Sequence, residues 1–304
     1  MSAMTREQWH GVFPAITTPL TEHDTVDHDF LAEHARRLVA GGSRAIVPLG
    51  SLGEGATLGF DEKVAVLRTL VTAVGDRVPV VAGIAALSTK EAAALACAAA
   101  DAGCGGLMVL PPYVYQGSWA EMRAHVDTVI EATPLGCMLY NNPIAYGTDF
   151  LPEQVRDFAS RHANLHAVKD SSGDVRRITA MRALLGDRLA LFVGLDDAVV
   201  EGVAAGATGW VAGLVNALPE ESVVLFDRAL AGDHARARAL YDWFLPLLRL
   251  DTVPTFVQLI KLVQQECGMG KERVRLPRLA LAGAERETAL QLIRASLAKR
   301  PSLA

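Results

Sequence analysis

Residues 165–194 read LHAVKDSSGDVRRITAMRALLGDRLALFVG, and their pattern decides the fold. Leu165–Lys169 is short and mostly apolar, as expected for a strand covered on both faces of a parallel sheet. Asp170-Ser171-Ser172-Gly173 breaks the chain, a helical pattern runs from Asp174 to Leu185, and Leu189–Gly194 is a second apolar strand. Strand, helix and strand in that order make a right-handed parallel crossover.

The same alternation continues in both directions. Strands are expected at Gly11–Thr17, Ala45–Leu49, Val78–Gly83, Gly106–Leu110, Leu135–Tyr140 and Gly209–Ala212, with Pro79 tolerable only at a strand start. Between them lie helices. Asp27 caps one through Leu38, with Phe30, Leu31, His34 and Leu38 at helical spacing, and Ser88 caps another to Ala102. Ser118 and Glu121 stand in capping-box register for a helix to Ala132, and Asp61–Val74, Leu151–Ser160, Asp196–Ala205 and Pro219–Ala231 complete the set. Eight strand–helix units predict an α/β fold, a (β/α)8 TIM barrel over residues 1–232. The alternative, an open doubly wound sheet, calls for a glycine-rich turn after the first strand, where Pro19-Leu20-Thr21 stands instead. Helical stretches at His234–Leu250, Pro254–Glu266 and Glu285–Lys299 predict a C-terminal helical layer over 233–304, packed on the barrel and suited to self-association.

Composition narrows the function. The 304 residues are 51% hydrophobic, enough for a large core. A net charge of −5 without a basic run argues against nucleic acid. Cys97, Cys104, Cys137 and Cys267 form no CxxC pair and read as reduced, mostly buried thiols of a cytoplasmic protein. The apolar run Glu91–Ala102 is too short to cross a membrane.

The loops after the strands of such a barrel carry its active site. Lys169 ends the sixth strand, where burial would disfavour its charged form and leave an amine able to attack a carbonyl carbon as a Schiff-base nucleophile. The plainer reading is a surface lysine opening a loop. Tyr140, ending the fifth strand, can relay protons or simply bond a backbone carbonyl. Gly50 and Gly53 would let backbone amides approach an anion beside the Ser51 hydroxyl, or merely make a tight turn; Glu54 would cap or orient that loop. Asp196 and Asp197 read as helix caps, since no third ligand shares their spacing and a metal site is rejected. His166, inside the sixth strand on the opposite parity, is given no catalytic role.

At this point the chain resembles the dihydrodipicolinate synthase/N-acetylneuraminate lyase family, class I Schiff-base aldolases. The resemblance rests on Lys169 in VKDSSGD, Tyr140 in YNNP, GSLGE from Gly50, GLDD from Gly194 and GWVAGLVNALP from Gly209, and runs from Gly11 to Leu279. It implies that Lys169 forms a Schiff base with a 2-oxo acid, that Tyr140 relays protons, and that Gly50, Ser51 and Leu52 bind the substrate carboxylate. Gly194 and Val211 would line the pocket through their backbones. The synthase subgroup has two threonines where Ser51 and Leu52 stand. It has an arginine where Ala145 stands, and a tyrosine lent by a neighbouring subunit where Val114 stands, with Tyr113 or Tyr115 as substitutes. Without that arginine, the carboxylate of aspartate semialdehyde would be buried unpaired. The stretches NNPIAYGTD and RLDTVPTFVQLIKL resemble the 1-pyrroline-4-hydroxy-2-carboxylate deaminases of hydroxyproline breakdown.

The expected chemistry is therefore attack by Lys169 on C2 of a small 2-oxo or cyclic 2-imino acid, loss of a C3 proton, departure of a C4 hydroxyl as water, ring opening and loss of ammonia to give 2-oxoglutarate semialdehyde. No cofactor is called for: no metal, nucleotide or flavin. The alternatives are a 2-keto-3-deoxy sugar-acid dehydratase or pyruvate-releasing aldolase, dihydrodipicolinate synthase itself, and a ligand-binding regulatory barrel without catalysis. The expected partners are the small substrate and further copies of the chain, as a dimer or homotetramer, with no membrane.

Overall fold

A computed structural model describes residues 3–113 and 115–303. Seven parallel strands, β1 (Gly11–Pro14), β2 (Val81–Ile84), β3 (Gly106–Val109), β4 (Gly136–Asn141), β5 (Leu165–Asp170), β6 (Ala190–Val193) and β7 (Gly209–Ala212), form one sheet in the order β1-β7-β6-β5-β4-β3-β2. The second expected strand, Ala45–Leu49, is reduced to two parallel bridges, Ala15↔Val47 and Ile46↔Val80. Prolines explain the difference. Pro14 and Pro79 on the neighbouring segments have no N–H to give, and Pro48 and the positive φ of Leu49 (65°) turn the chain out of the extended form. The segment still closes the ring: Val47 N–H donates to Pro14 C=O (2.8 Å), and Val81 N–H to Ile46 C=O (2.8 Å). The architecture is thus the expected TIM barrel, with its second strand held by single bridges.

Two apolar layers follow from strand alternation. Phe13, Val47, Val81, Met108, Met138, Ala167, Phe192 and Val211 fill the barrel interior, while residues of opposite parity pack against the helices. The helices are α1 (His28–Ala40), α2 (Phe60–Val74), α3 (Thr89–Asp101), α4 (Trp119–Glu131), the single turn α5 (Pro143–Tyr146), α6 (Pro152–Arg161), α7 (Arg176–Leu185), α8 (Val199–Ala204), α9 (Pro219–Leu230), α10 (His234–Leu248), α11 (Phe256–Glu266) and α12 (Gly283–Leu297). The caps read from sequence are present: Asp27 accepts from Phe30 N–H, Ser88 from Glu91 N–H, and Ser118 with Glu121 forms the reciprocal box. No helix among the described residues is long and apolar enough to cross a membrane. Cys104 and Cys137 are buried, but Cys97 is exposed, so the cysteines are less uniformly interior than expected.

The C-terminal helices bind the barrel through buried polar contacts: the Thr17 hydroxyl, beyond β1, donates to Gln264 Oε1 of α11 (2.9 Å). Beside it, His34 of α1 donates from Nε2 to Asn216 Oδ1 (3.1 Å), which also accepts from Thr17 N–H, while Asn216 Nδ2 donates to Ala15 C=O. Burial pushes the His34 pKa down to about 4, with the Asn216 bond opposing the shift. Because the folded value lies below the unfolded one, the stabilisation is complete above pH 6.5 and is lost as pH falls toward 4. On the order of 3 kcal/mol should disappear across that window. Thermal denaturation against pH checks this, and the loss should flatten in His34→Gln.

Candidate active site

Tyr140 and Lys169 are register partners on the adjacent strands β4 and β5. Since Ala167 points into the barrel, Lys169, two residues on, does too. Both strands end at the same height, and the Lys169 ammonium lies 4.0 Å from the centre of the Tyr140 ring. Lys169 is 6% exposed. Its nitrogen enters no hydrogen bond or ion pair with a described residue, though its charge reaches the carboxyl groups of Asp196 and Asp251. It faces a cavity of about 390 Å3 lined by Gly50, Ser51, Leu52, Tyr140, Lys169, Gly194 and Val211, so all seven residues singled out from the sequence meet in one cup.

Each is placed by its local fold. Gly50 to Leu52 follow the bridge segment, and Glu54, in the left-handed region (φ 54°), turns the loop back. Glu54 points away from the cavity: its buried carboxylate pairs with Lys261 of α11 and accepts from Arg275 N–H (3.0 Å). It orients the loop, as read from sequence. Gly194, past the end of β6, does more than show its backbone. A methyl group there would lie 2.6 Å from Lys169 Cε and 3.0 Å from Asp170 C=O. Gly194→Ala should therefore shift the amine and lower kcat/KM about 100-fold, since misplacement by an ångström costs about that much. Steady-state kinetics, with circular dichroism to confirm folding, checks this.

The Tyr140 hydroxyl accepts from Asn142 Nδ2 (2.9 Å), rather than bonding a backbone carbonyl. Asn142 also caps α5 through Ala145 N–H (3.0 Å), Pro143 fills its first position, and Gly147 (φ 72°) ends it. This single turn, read from sequence as loop, brings Ala145 to the cavity wall and Tyr146 against Tyr140, ring centroids 5.8 Å apart and edge to face. The Tyr146 hydroxyl hydrogen-bonds the Ser51 hydroxyl. Burial, then the neighbouring Tyr140, raises the Tyr146 pKa. Tyr113 stands 6.2 Å from Tyr146, whereas Tyr115 is exposed; Val114 lies outside the described residues.

The acidic pair departs from its expected capping role. Asp196 is buried and accepts from Trp210 Nε1–H and from the N–H groups of Gly213 and Leu214, fixing the turn after β7. Burial raises its pKa to about 6, opposed chiefly by these hydrogen bonds. Asp197 lies 3.8 Å from Arg249. His166 is half-buried on β5 and does not line the cavity. Among the described residues no three His, Cys, Asp or Glu side chains gather as a metal site.

Two features of the site are given no role from sequence. Tyr146, beside the cavity, enters only as part of NNPIAYGTD, and Asp251 only as part of RLDTVPTFVQLIKL. Asp251, between α10 and α11, reaches the cavity with Thr252, Val253, Pro254 and Phe256. Among the described lining residues Lys169 is the one cation and Asp251 the one carboxyl group.

The sequence profile of the dihydrodipicolinate synthetase family matches residues 8–296. The chain is 38% identical over 238 residues to the 4-hydroxy-tetrahydrodipicolinate synthase of Natronomonas pharaonis, covering 78% of this chain and 80% of that one. It is 35% identical over 291 residues to the enzyme of the same name from Sorangium cellulosum, covering 95% and 97%. Among solved structures, the chloride-inhibited dihydrodipicolinate synthase of Acinetobacter baumannii complexed with pyruvate superimposes with a TM-score of 0.88 at 28% identity, over 94% of this chain and 98% of that one. A match spanning nearly the whole chain, on a barrel whose lysine and tyrosine end adjacent strands, makes this protein a member of the dihydrodipicolinate synthetase family of lyases.

Proposed function

We propose that this chain is a Schiff-base lyase in which Lys169 holds the C2 carbon of a small 2-oxo acid, Ser51 and the amides of its loop hold the C1 carboxylate, and Tyr140 moves the protons. The observation that carries this reading is the Lys169 amine, shielded from bulk solvent, unpaired among the described residues and open to a cavity large enough for a small acid. The pyruvate complex of the Acinetobacter baumannii relative supports pyruvate as the first probe.

Two finer readings divide on the partner that reacts at C3. The relatives' names favour a 4-hydroxy-tetrahydrodipicolinate synthase condensing pyruvate with aspartate semialdehyde, and they support it better than a deaminase. One geometric observation favours dehydration and deamination of 1-pyrroline-4-hydroxy-2-carboxylate: Ala145 leaves that wall without a cation, and Asp251 puts a carboxyl group in the cavity. A second substrate carboxylate would meet no positive partner there. A panel assay on the purified protein decides. Consumption of aspartate semialdehyde with pyruvate supports the synthase, ammonia release from the pyrroline acid supports the deaminase, and pyruvate release from a 2-keto-3-deoxy sugar acid supports the aldolase. Covalent capture of pyruvate without turnover of any of them would favour a binding module. The working assembly is proposed to be a dimer or tetramer of this chain, readable by light scattering.

A further inference from the structure

Asp251 enters the cavity from the C-terminal layer, and nothing in the barrel motifs asks for it. Its Oδ1 lies where a Cβ on Gly213 would come within 2.1 Å, so the carboxyl group rests on the bare backbone just beyond β7. It makes no hydrogen bond or ion pair with a described residue, yet it lines the same cavity as Lys169, whose charge reaches it. A carboxyl group that lines a reaction cavity and enters no hydrogen bond with a described residue is free to exchange a proton with whatever occupies the cavity.

We propose that Asp251 is a second catalytic residue, the acid that protonates the oxygen on C4 of the substrate once Lys169 holds C2. This rests on the Schiff-base reading above. In an elimination, the enamine nitrogen's electrons re-form the C2=N bond, the C2=C3 pair becomes C3=C4, and the C4–O bond breaks. The departing oxygen takes the Asp251 proton and leaves as water. In an addition, C3 of the enamine bonds to an aldehyde carbon, the carbonyl pair moves onto oxygen, and that oxygen takes the same proton. Either way Asp251 is left as a carboxylate and regains a proton when water hydrolyses the iminium. The role is therefore common to both finer readings.

The surroundings suit an acid. Burial raises the Asp251 pKa well above the usual carboxylate range, the charge of Asp196 adds to this, Lys169 opposes it, and Asp197 adds a smaller push. Asp197 is itself faced by Arg249. The group must be protonated to act, so it should set the alkaline limb of kcat.

Pyruvate alone separates this proposal from the reading beneath it, because exchange of its C3 protons needs Lys169 but no C4 oxygen. In deuterium oxide, the wild type and Asp251→Asn should both exchange those protons and both be trapped by borohydride. With 1-pyrroline-4-hydroxy-2-carboxylate, or with aspartate semialdehyde and pyruvate, Asp251→Asn should lose about 100-fold or more in kcat and its alkaline limb. Gly213→Ala, which displaces the carboxyl group without removing it, should show the same split. Turnover by Asp251→Asn within threefold of wild type with an unchanged pH profile would overturn the assignment. So would loss of exchange in that variant, or a wild type that exchanges pyruvate but processes neither probe. Absence of exchange in the wild type would instead refute the Schiff base itself.

Discussion

Lys169→Ala is expected to remove turnover almost completely, by a factor of about 1,000 or more, while leaving the fold intact. The magnitude follows from removing the covalent step: without the amine, C3 has no electron sink, and a neighbouring tyrosine cannot supply one. The fold should survive because the nitrogen lies over the face of the Tyr140 ring, 4.0 Å from its centre, and enters no hydrogen bond or ion pair with a described residue. Lys169→Arg is the stricter test. It keeps the charge and much of the length, but a guanidinium does not form an imine, so it should be equally inactive. Stopped assays on the substrate panel, with unfolding midpoints for each variant, read both effects.

Glu54→Ala should be the most destabilising single change near the site. Lys261 is buried beside Glu54 and also donates to the carbonyls of Thr18 (2.8 Å) and Arg273 (2.7 Å). Burial lowers the Lys261 pKa, and the Glu54 charge is the largest influence holding it up. Removing the carboxylate leaves a buried ammonium without its counter-ion, which costs about 3–5 kcal/mol. It also frees Arg275 N–H and weakens the hold of Arg278, 3.7 Å away, on the same carboxylate. Denaturant titration should show this loss. A Glu54→Leu, Lys261→Met double variant should recover much of it, because an apolar pair can replace a buried ion pair at little cost. KM should stay raised in both proteins, since the loop carrying Ser51 loses its anchor.

The pair at the centre of the site was legible because it is local. Strand parity and strand ends decide where Lys169 and Tyr140 point, and both are written within a few residues of each lysine or tyrosine. Gly194 was legible as a strand-end glycine, but its contact with Lys169 Cε was not, since it depends on how β5 and β6 align. The strand expected at Ala45–Leu49 shrank to two bridges because prolines on its neighbours withhold N–H groups, a cross-strand effect that apolar patterning does not report. Asp196 carried the pattern of a helix cap, yet three donors across the barrel end claim its oxygens instead. Asp251 was the least legible. It lies more than eighty residues beyond Lys169, after a helix that reads as part of a separate layer, and only the packing of α10 and α11 over the barrel mouth brings it into the cavity.

The most direct test is to incubate the protein with pyruvate and borohydride, digest it, and map the modified peptide by mass spectrometry. A single reduced pyruvyl adduct is expected on the Lys169 side chain, absent when either reagent is omitted. An unmodified Lys169, or an adduct located on Lys63, Lys261 or another lysine, would contradict the Schiff-base reading.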